Sequence, residues 1–444
     1  MRHDTNQPGS EATRRTMLQS AGALAAGLLT TTAKGAGEVQ ALAQAGGKPA
    51  VTIPSRKQVD AARWPIFGDE EEKAIVDFLK SPGYGPIAAL EADWKDYFQV
   101  PFAKAQCNGT SAIASMFFAL DLPPGSEILV PSYTFFASVV PMRVFGLVPV
   151  FVDVNPRTLN FDVNDAKRRL TKNTKAVFPV HWMGLPCAMD EINDFAKEHG
   201  LVVLEDVAHS PGASLKGKPL GTWSRMSIFS YQATKPIPAM EGGMGMFQNR
   251  EDYERATSFG HSDIPASFPA TSPYRKYEGS GLGLKLRMNP LAAVLARIQL
   301  RKLKARNEEG VAQVRKLNDR LTQLPGLFEP TMRPDMSRLY YSSNILFLDE
   351  AKAGFTRDAL IKALQAEGVR ATAHRYRLQH KLSLYKEASW WHHAPTIPEL
   401  PGSDEANRTA VGLPYWTTPV PDLVEQYAQA FEKVWANRKS LATG

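Results

Sequence analysis

From residue 105 to about residue 250 the chain alternates short apolar runs with amphipathic stretches, and this alternation restricts its fold more than any other feature. The runs EILVP, VPVFVDV, KAVFPVH, LVVLED, MSIFSY and GMGMF have strand length, while Ser111 to Leu120 and Met189 to His199 place apolar residues at helical spacing. Strands that alternate with helices predict a mostly parallel sheet with both faces covered, because each crossover lays a helix over the sheet. Ligands of such sheets bind beyond the carboxyl ends of the strands, so the residues that follow those ends are the ones to search for chemistry.

Two of those ends stand out. The strand LVVL runs into Glu205-Asp206, and the strand MSIFSY is followed by a small-residue loop within FSYQATKPIPAMEGG, Phe229 to Gly243, that carries Lys235. A lysine amine can condense with a cofactor aldehyde, and a buried aspartate can keep a pyridine nitrogen protonated so that the ring draws electrons. A lysine and an aspartate at neighbouring strand ends therefore predict a clamp for pyridoxal phosphate. Pro236 directs Lys235 to an extended backbone, and PIPAM predicts a rigid, apolar wall for the substrate.

Outside that region, EEEKAIVDFLKS reads as an amphipathic helix whose Ala74, Ile75, Phe78 and Leu79 would pack on the main domain. The segment 260–283, rich in Gly, Ser and Pro, predicts a long loop. Pro290 then opens a long helix, PLAAVLARIQLRKLKARNEEGVAQVRKLNDRL, and the remainder predicts a compact α+β domain built on YYSSNILFL, TRDALIKALQAEG, VRATA and PDLVEQYAQAFEKVW. The expected division is a leader over 1–45, a linker over 46–64, a large domain over 65–305 and a small domain over 306–444.

Charge and cysteine content narrow the function. The 52 basic against 45 acidic residues are scattered rather than grouped into a stripe, which argues against a nucleic-acid partner. Cys107 and Cys187 exclude a disulfide framework and leave room for one bridge at most. His374, His380, His392 and His393 lack the Cys or carboxylate spacing of a metal site, so no metal is expected.

At the N-terminus, TRRTMLQ with Arg14 and Arg15 precedes the weakly apolar SAGALAAGLLTTTA and the small residues of Ala41 to Ala45. This resembles a twin-arginine export signal, and it predicts passage through the twin-arginine translocase to the periplasm or beyond. The apolar run is too short and too diluted for a membrane span, so no span is expected in the mature protein.

Taken in order, the motifs resemble the DegT/StrS family of sugar aminotransferases, enzymes of fold-type I that depend on pyridoxal phosphate, over nearly all of residues 60 to 440. The resemblance implies a fold-type I α/β architecture with flanking helices and a smaller C-terminal α+β domain. It implies a homodimer with its sites at the subunit interface, and it implies roles for particular residues. Lys235 would bond to the cofactor and shuttle a proton; Asp206 would hold the ring nitrogen, and His209 the ring hydroxyl. Gly109, Thr110 and Ser111 at a helix start, with Ser230, would hold the phosphate, and Phe135 in PSYTFFAS would stack on the ring. His181 in PVHWMG, Arg287 in GLKLRMN, and Tyr376 and His380 in HRYRLQH would face the substrate. Lys285 replaces the asparagine with which the family reaches the phosphate across the dimer.

The expected reaction is amino transfer from a small-molecule donor such as glutamate or glutamine to a keto sugar, keto-cyclitol or related carbonyl acceptor. The alternatives are a sugar dehydratase, against which Lys235 argues because the family's dehydratases resemble replacements of this lysine by histidine, and a non-catalytic sensory protein on the same fold.

Overall fold

The computed structural model describes residues 40–441. The paired arginines 14 and 15 and the apolar run after them lie outside the described residues.

Seven strands form the central sheet: β1 (Phe102–Gln106), β2 (Glu127–Pro131), β3 (Val148–Val152), β4 (Thr174–Val177), β5 (Val202–Asp206), β6 (Met226–Ser230) and β7 (Gly243–Phe247). Their order is β1-β7-β6-β5-β4-β2-β3, with β7 antiparallel to both neighbours and the neighbours from β6 to β3 parallel. The expected mostly parallel α/β sheet is present. Its inner strands are buried on both faces, as β2 and β7 are along their whole length, which is why they read as continuous apolar runs. The strand that the pattern hid is β1, FAKAQ. Its Lys104 is buried because it pairs with Glu91 at 3.0 Å, so a charged residue occupies an inner position.

The helix Pro290–Leu321 joins two cores. Its first half places Ala292, Ala296, Leu300 and Leu303 in the core of the large domain, and its last turns place Leu317 and Leu321 in the second core. That second core lies under a four-stranded antiparallel sheet made of Leu327–Phe328, Asn344–Leu348, Thr372–Ala373 and Ala410–Leu413, with the helices Arg357–Ala366 and Pro421–Ala436. The segment after Gly260, up to residue 283, is a loop of successive turns with one short 3-10 helix, Arg275–Tyr277. Among the described residues no helix is long and apolar enough to cross a membrane, and both cysteines are free thiols.

Two expectations are corrected. The stretch 46–64, expected to be a linker, is docked on the small domain, and so are residues 42–45 before it. Leu42 and Val51 are buried in the second core, and the fully buried Glu367 carboxylate accepts the Ala43 and Ala50 N–H groups at 2.8 and 2.9 Å and Lys433 Nζ at 2.8 Å. The composition of this stretch is polar, yet its backbone donors satisfy a buried carboxylate that would otherwise be costly. The helix Asp69–Lys80 also turns differently from its apolar pattern. Leu79 is 61% exposed, whereas Glu71 faces inward and accepts hydrogen bonds from Gln299 at 2.8 Å and Lys302 at 2.6 Å.

Candidate active site

The site begins where β5 ends. Successive side chains of a strand point to opposite faces, so Glu205 and Asp206 part company. Asp206 lines a cavity of about 570 Å³ at the carboxyl edge of the sheet. Its carboxylate accepts Ser138 Oγ–H at 2.7 Å and the Ala208 N–H at 3.0 Å. Burial raises its pKa above the usual carboxylate value, against the opposing pull of these two donors and of the Lys235 ammonium. Ser138 is delivered by the short turn Phe136–Ser138, which follows β2.

Lys235 enters the same cavity from the loop after β6. The loop is closed on itself: the Tyr231 N–H donates to Gly242 O, the Ala233 N–H to Met240 O and the Lys235 N–H to Gln232 O. Trp64 Nε1 donates to Lys235 O at 3.2 Å, so the docked N-terminal stretch helps hold the lysine's backbone. Lys235 Nζ lies 4.8 Å from the centre of the Tyr341 ring, and the Tyr341 hydroxyl is 3.0 Å from Thr234 Oγ1.

At the far end, Asn108, Gly109 and Thr110 open the helix Gly109–Leu120 opposite Ser230, and all four line the cavity. A side chain at residue 109 would put its Cβ 2.9 Å from that of Ser230, so glycine is what keeps this cradle open. Phe135 lines the mouth and is 48% exposed. His209 sits between the Trp182 ring at 4.8 Å and the Tyr341 ring at 4.5 Å. Burial, then the nearby Lys235 charge, hold its pKa well below the ordinary histidine value, and its Nδ1 accepts the Met183 N–H at 3.5 Å. It is a neutral imidazole.

The structure thus brings together Gly109, Thr110, Phe135, Asp206, His209, Ser230, Lys235 and Tyr376. Other expected members lie elsewhere. Ser111 does not line the cavity: its N–H is taken by Asn108 Oδ1 at 2.8 Å, and its hydroxyl meets Cys107 Sγ at 3.1 Å. His181, expected at the substrate, is fully buried behind the sheet; its Nδ1 accepts the Cys187 N–H at 3.0 Å and its Nε2 faces Glu205 at 3.2 Å. His380 is likewise buried, with Nδ1 2.6 Å from Ser132 Oγ. Lys285 and Arg287 lie outside this chain's own cavity, Arg287 pairing with Asp263 at 3.0 Å. Pro236 to Ala239, expected as a substrate wall, are buried and leave the lining to Gln232, Thr234 and Glu241. The wall is aromatic instead, with Trp182, Tyr341 and Tyr376. The first two were missed, as were Ser138 and His374. Trp182, Ser138 and His374 stand in the segments PVHWMG, PSYTFFAS and HRYRLQH that carry His181, Phe135 and Tyr376, but which side chains of those segments enter the cavity is set by tertiary packing.

With this geometry in place, the chain can be set beside the known proteins it resembles. A profile of the DegT/DnrJ/EryC1/StrS aminotransferase family matches residues 66–432. An uncharacterized protein of Methanocaldococcus jannaschii is 28% identical over 388 residues, covering 83% of this chain and 96% of its own length. The crystal structure of an aminotransferase from Psychrobacter cryohalolentis superposes with a TM-score of 0.77 at 25% identity, covering 85% of this chain and 99% of that one. The structure of DesI in the presence of its TDP-sugar product gives 0.73 at 26% identity, covering 90% and 98%.

Proposed function

Because the chain belongs to the DegT/DnrJ/EryC1/StrS aminotransferase family, we propose that it is a pyridoxal-phosphate-dependent aminotransferase acting on a keto sugar, keto-cyclitol or related carbonyl compound. The observation that carries this reading is that Lys235 and Asp206, from different elements, line one cavity. The donor set fits the cofactor. Asp206 is a buried carboxylate whose protein partners are a hydroxyl and a backbone N–H, and a pyridine N–H would supply the positive partner it lacks. The open cradle of Gly109, Thr110 and Ser230 at a helix N-terminus suits a phosphate. When bound, pyridoxal phosphate supplies an aldehyde for amines and a ring that withdraws electrons from the substrate carbon.

The chain's own residues do the rest. Asp206 would keep a proton on the ring nitrogen, neutral His209 would offer a hydrogen bond to the ring hydroxyl, and Lys235 Nζ would hold the cofactor and, once released, would move a proton between the substrate carbon and the cofactor carbon. The name of DesI's ligand supports a sugar acceptor. Phe136 at the cavity mouth, Met240 in the lysine loop and Leu284 beside Lys285 are 44%, 56% and 55% exposed, which supports a homodimer in which Lys285 and Arg287 serve the partner's cavity. The paired Arg14 and Arg15 support export by the twin-arginine route.

One experiment tests the whole reading. After borohydride reduction, mass spectrometry of the purified protein is expected to find the cofactor on Lys235, a mature N-terminus after the leader and, under native conditions, two chains. Lys235→Ala is expected to abolish trapping. Cofactor still trapped in that variant refutes the assignment.

A further inference from the structure

Three hollows meet at one residue. Ser342 lines the reaction cavity, a side cavity of about 170 Å³ and an open groove of about 1090 Å³ that runs along the outer edge strand of the small domain, Thr372–Ala373. His374 lines both the reaction cavity and the groove. Ser342 has φ +62°, and the Ser343 N–H donates to Tyr341 O at 2.6 Å, which closes a three-residue turn around it. A tight turn with a positive-φ, non-glycine centre is rare and strained, and such strain is retained where surrounding structure holds it for a purpose.

His374 supplies the second, independent observation. Its Nε2 is buried and has no hydrogen-bond partner among the described residues. Burial pushes the ring's pKa down to about 4, so at neutral pH it is an uncharged imidazole with one donor and one acceptor nitrogen. Leaving such an atom unmatched costs free energy, and the ring, which lines both hollows, would recover it by turning its nitrogen to a ligand hydroxyl. The groove beyond is cationic: Arg63 and Arg370 line it against a single acid, Asp60, which already has Arg56 at 3.9 Å.

We propose that the groove holds the distal end of the carbonyl acceptor, which crosses Ser342 with a sugar hydroxyl on His374 and places an oxyanion between Arg63 and Arg370. This rests on the aminotransferase reading for the term acceptor, but its test is separate. Holoprotein is first given L-glutamate, and loss of the cofactor's aldehyde absorbance reads the amino-donor half-reaction. Failure there counts against the aminotransferase reading. The same holoprotein is then titrated by calorimetry with glucose 1-phosphate and with glucuronate, which distinguish a phosphate from a carboxylate.

At least one of the two is expected to bind. The double variant Arg63→Ala, Arg370→Ala is expected to weaken it at least about tenfold, the size of one charge-assisted hydrogen bond. His374→Ala is expected to weaken it about fivefold, and His374→Gln, which restores a donor and an acceptor, to recover part of that loss. Binding of neither compound, or binding that all of these variants leave unchanged, overturns the proposal.

Discussion

Glu205 and Asp206 are consecutive carboxylates at the end of one strand, both buried, and they have opposite fates. Glu205 points behind the sheet, where it accepts the Gly221 N–H at 2.7 Å, the Trp223 N–H at 3.0 Å and Ser224 Oγ–H at 2.7 Å, with His181 Nε2 at 3.2 Å. Asp206 points into the cavity with Ser138 and Ala208 alone. The first is an acceptor filled by the protein; the second has acceptor capacity left over, in a place where burial already opposes its charge. A buried polar group saturated by its own chain is structural, and one left short beside an open cavity is waiting for a ligand.

That contrast predicts a crossed pattern of variants. Glu205→Ala strands two backbone N–H groups and an imidazole in a dry interior, so it is expected to cost about 3–5 kcal/mol of stability, as removal of one partner from a buried charged network does. Urea denaturation reads this directly. Asp206→Asn keeps shape and volume and removes a charge that the empty site disfavours, so its cofactor-free stability is expected to match or exceed that of the wild type. Its amino-donor half-reaction is expected to slow about 10²–10³-fold, the usual scale for deleting a preorganised electrostatic partner. Equal destabilisation by the two changes would break the distinction.

How much of this was legible in the chain follows the same line. The parallel sheet could be read because buried strands are unbroken apolar runs, and Asp206 and Lys235 could be read because both follow such runs. Strand β1 could not, since Lys104 is paired with Glu91, a residue of the preceding helix Gly85–Phe98. His181 follows β4 by a short loop and His380 lies in the turn Gln379–Lys381, both in segments that flank the site, and only the packing shows that each turns to a buried partner, Glu205 or Ser132. The aromatic wall was hidden for a related reason. Tyr341 precedes the strained turn at Ser342, and Trp182 precedes Met183, whose φ is +49°. Local pattern does not announce where a side chain goes when the backbone leaves the regular regions. The docking of residues 42–64 was hidden because its anchor, Glu367, lies more than 300 positions away.

The smallest expected effect is the most exacting check on Asp206. Its pKa in the folded protein lies above the ordinary value of 3.8, so the folded chain holds this proton more tightly than the unfolded chain does. Linkage then fixes the sign: the contribution to stability is fully present below the unfolded pKa and is lost as pH rises through the folded one. In cofactor-free protein, Asp206→Asn is therefore expected to gain on the wild type as pH climbs through that window, and the two should converge toward the acid side. Cofactor should reverse the slope. A ring N–H facing the carboxylate favours its charged form and lowers the folded pKa, so the wild type should gain on Asp206→Asn as pH rises. Paired denaturation curves over this range, with and without pyridoxal phosphate, read the difference free of every other carboxylate in the chain. A pH-independent difference in both states would mean that Asp206 holds its proton equally in the folded and the unfolded chain, and the reading of it as a carboxylate left short by its own chain would fall.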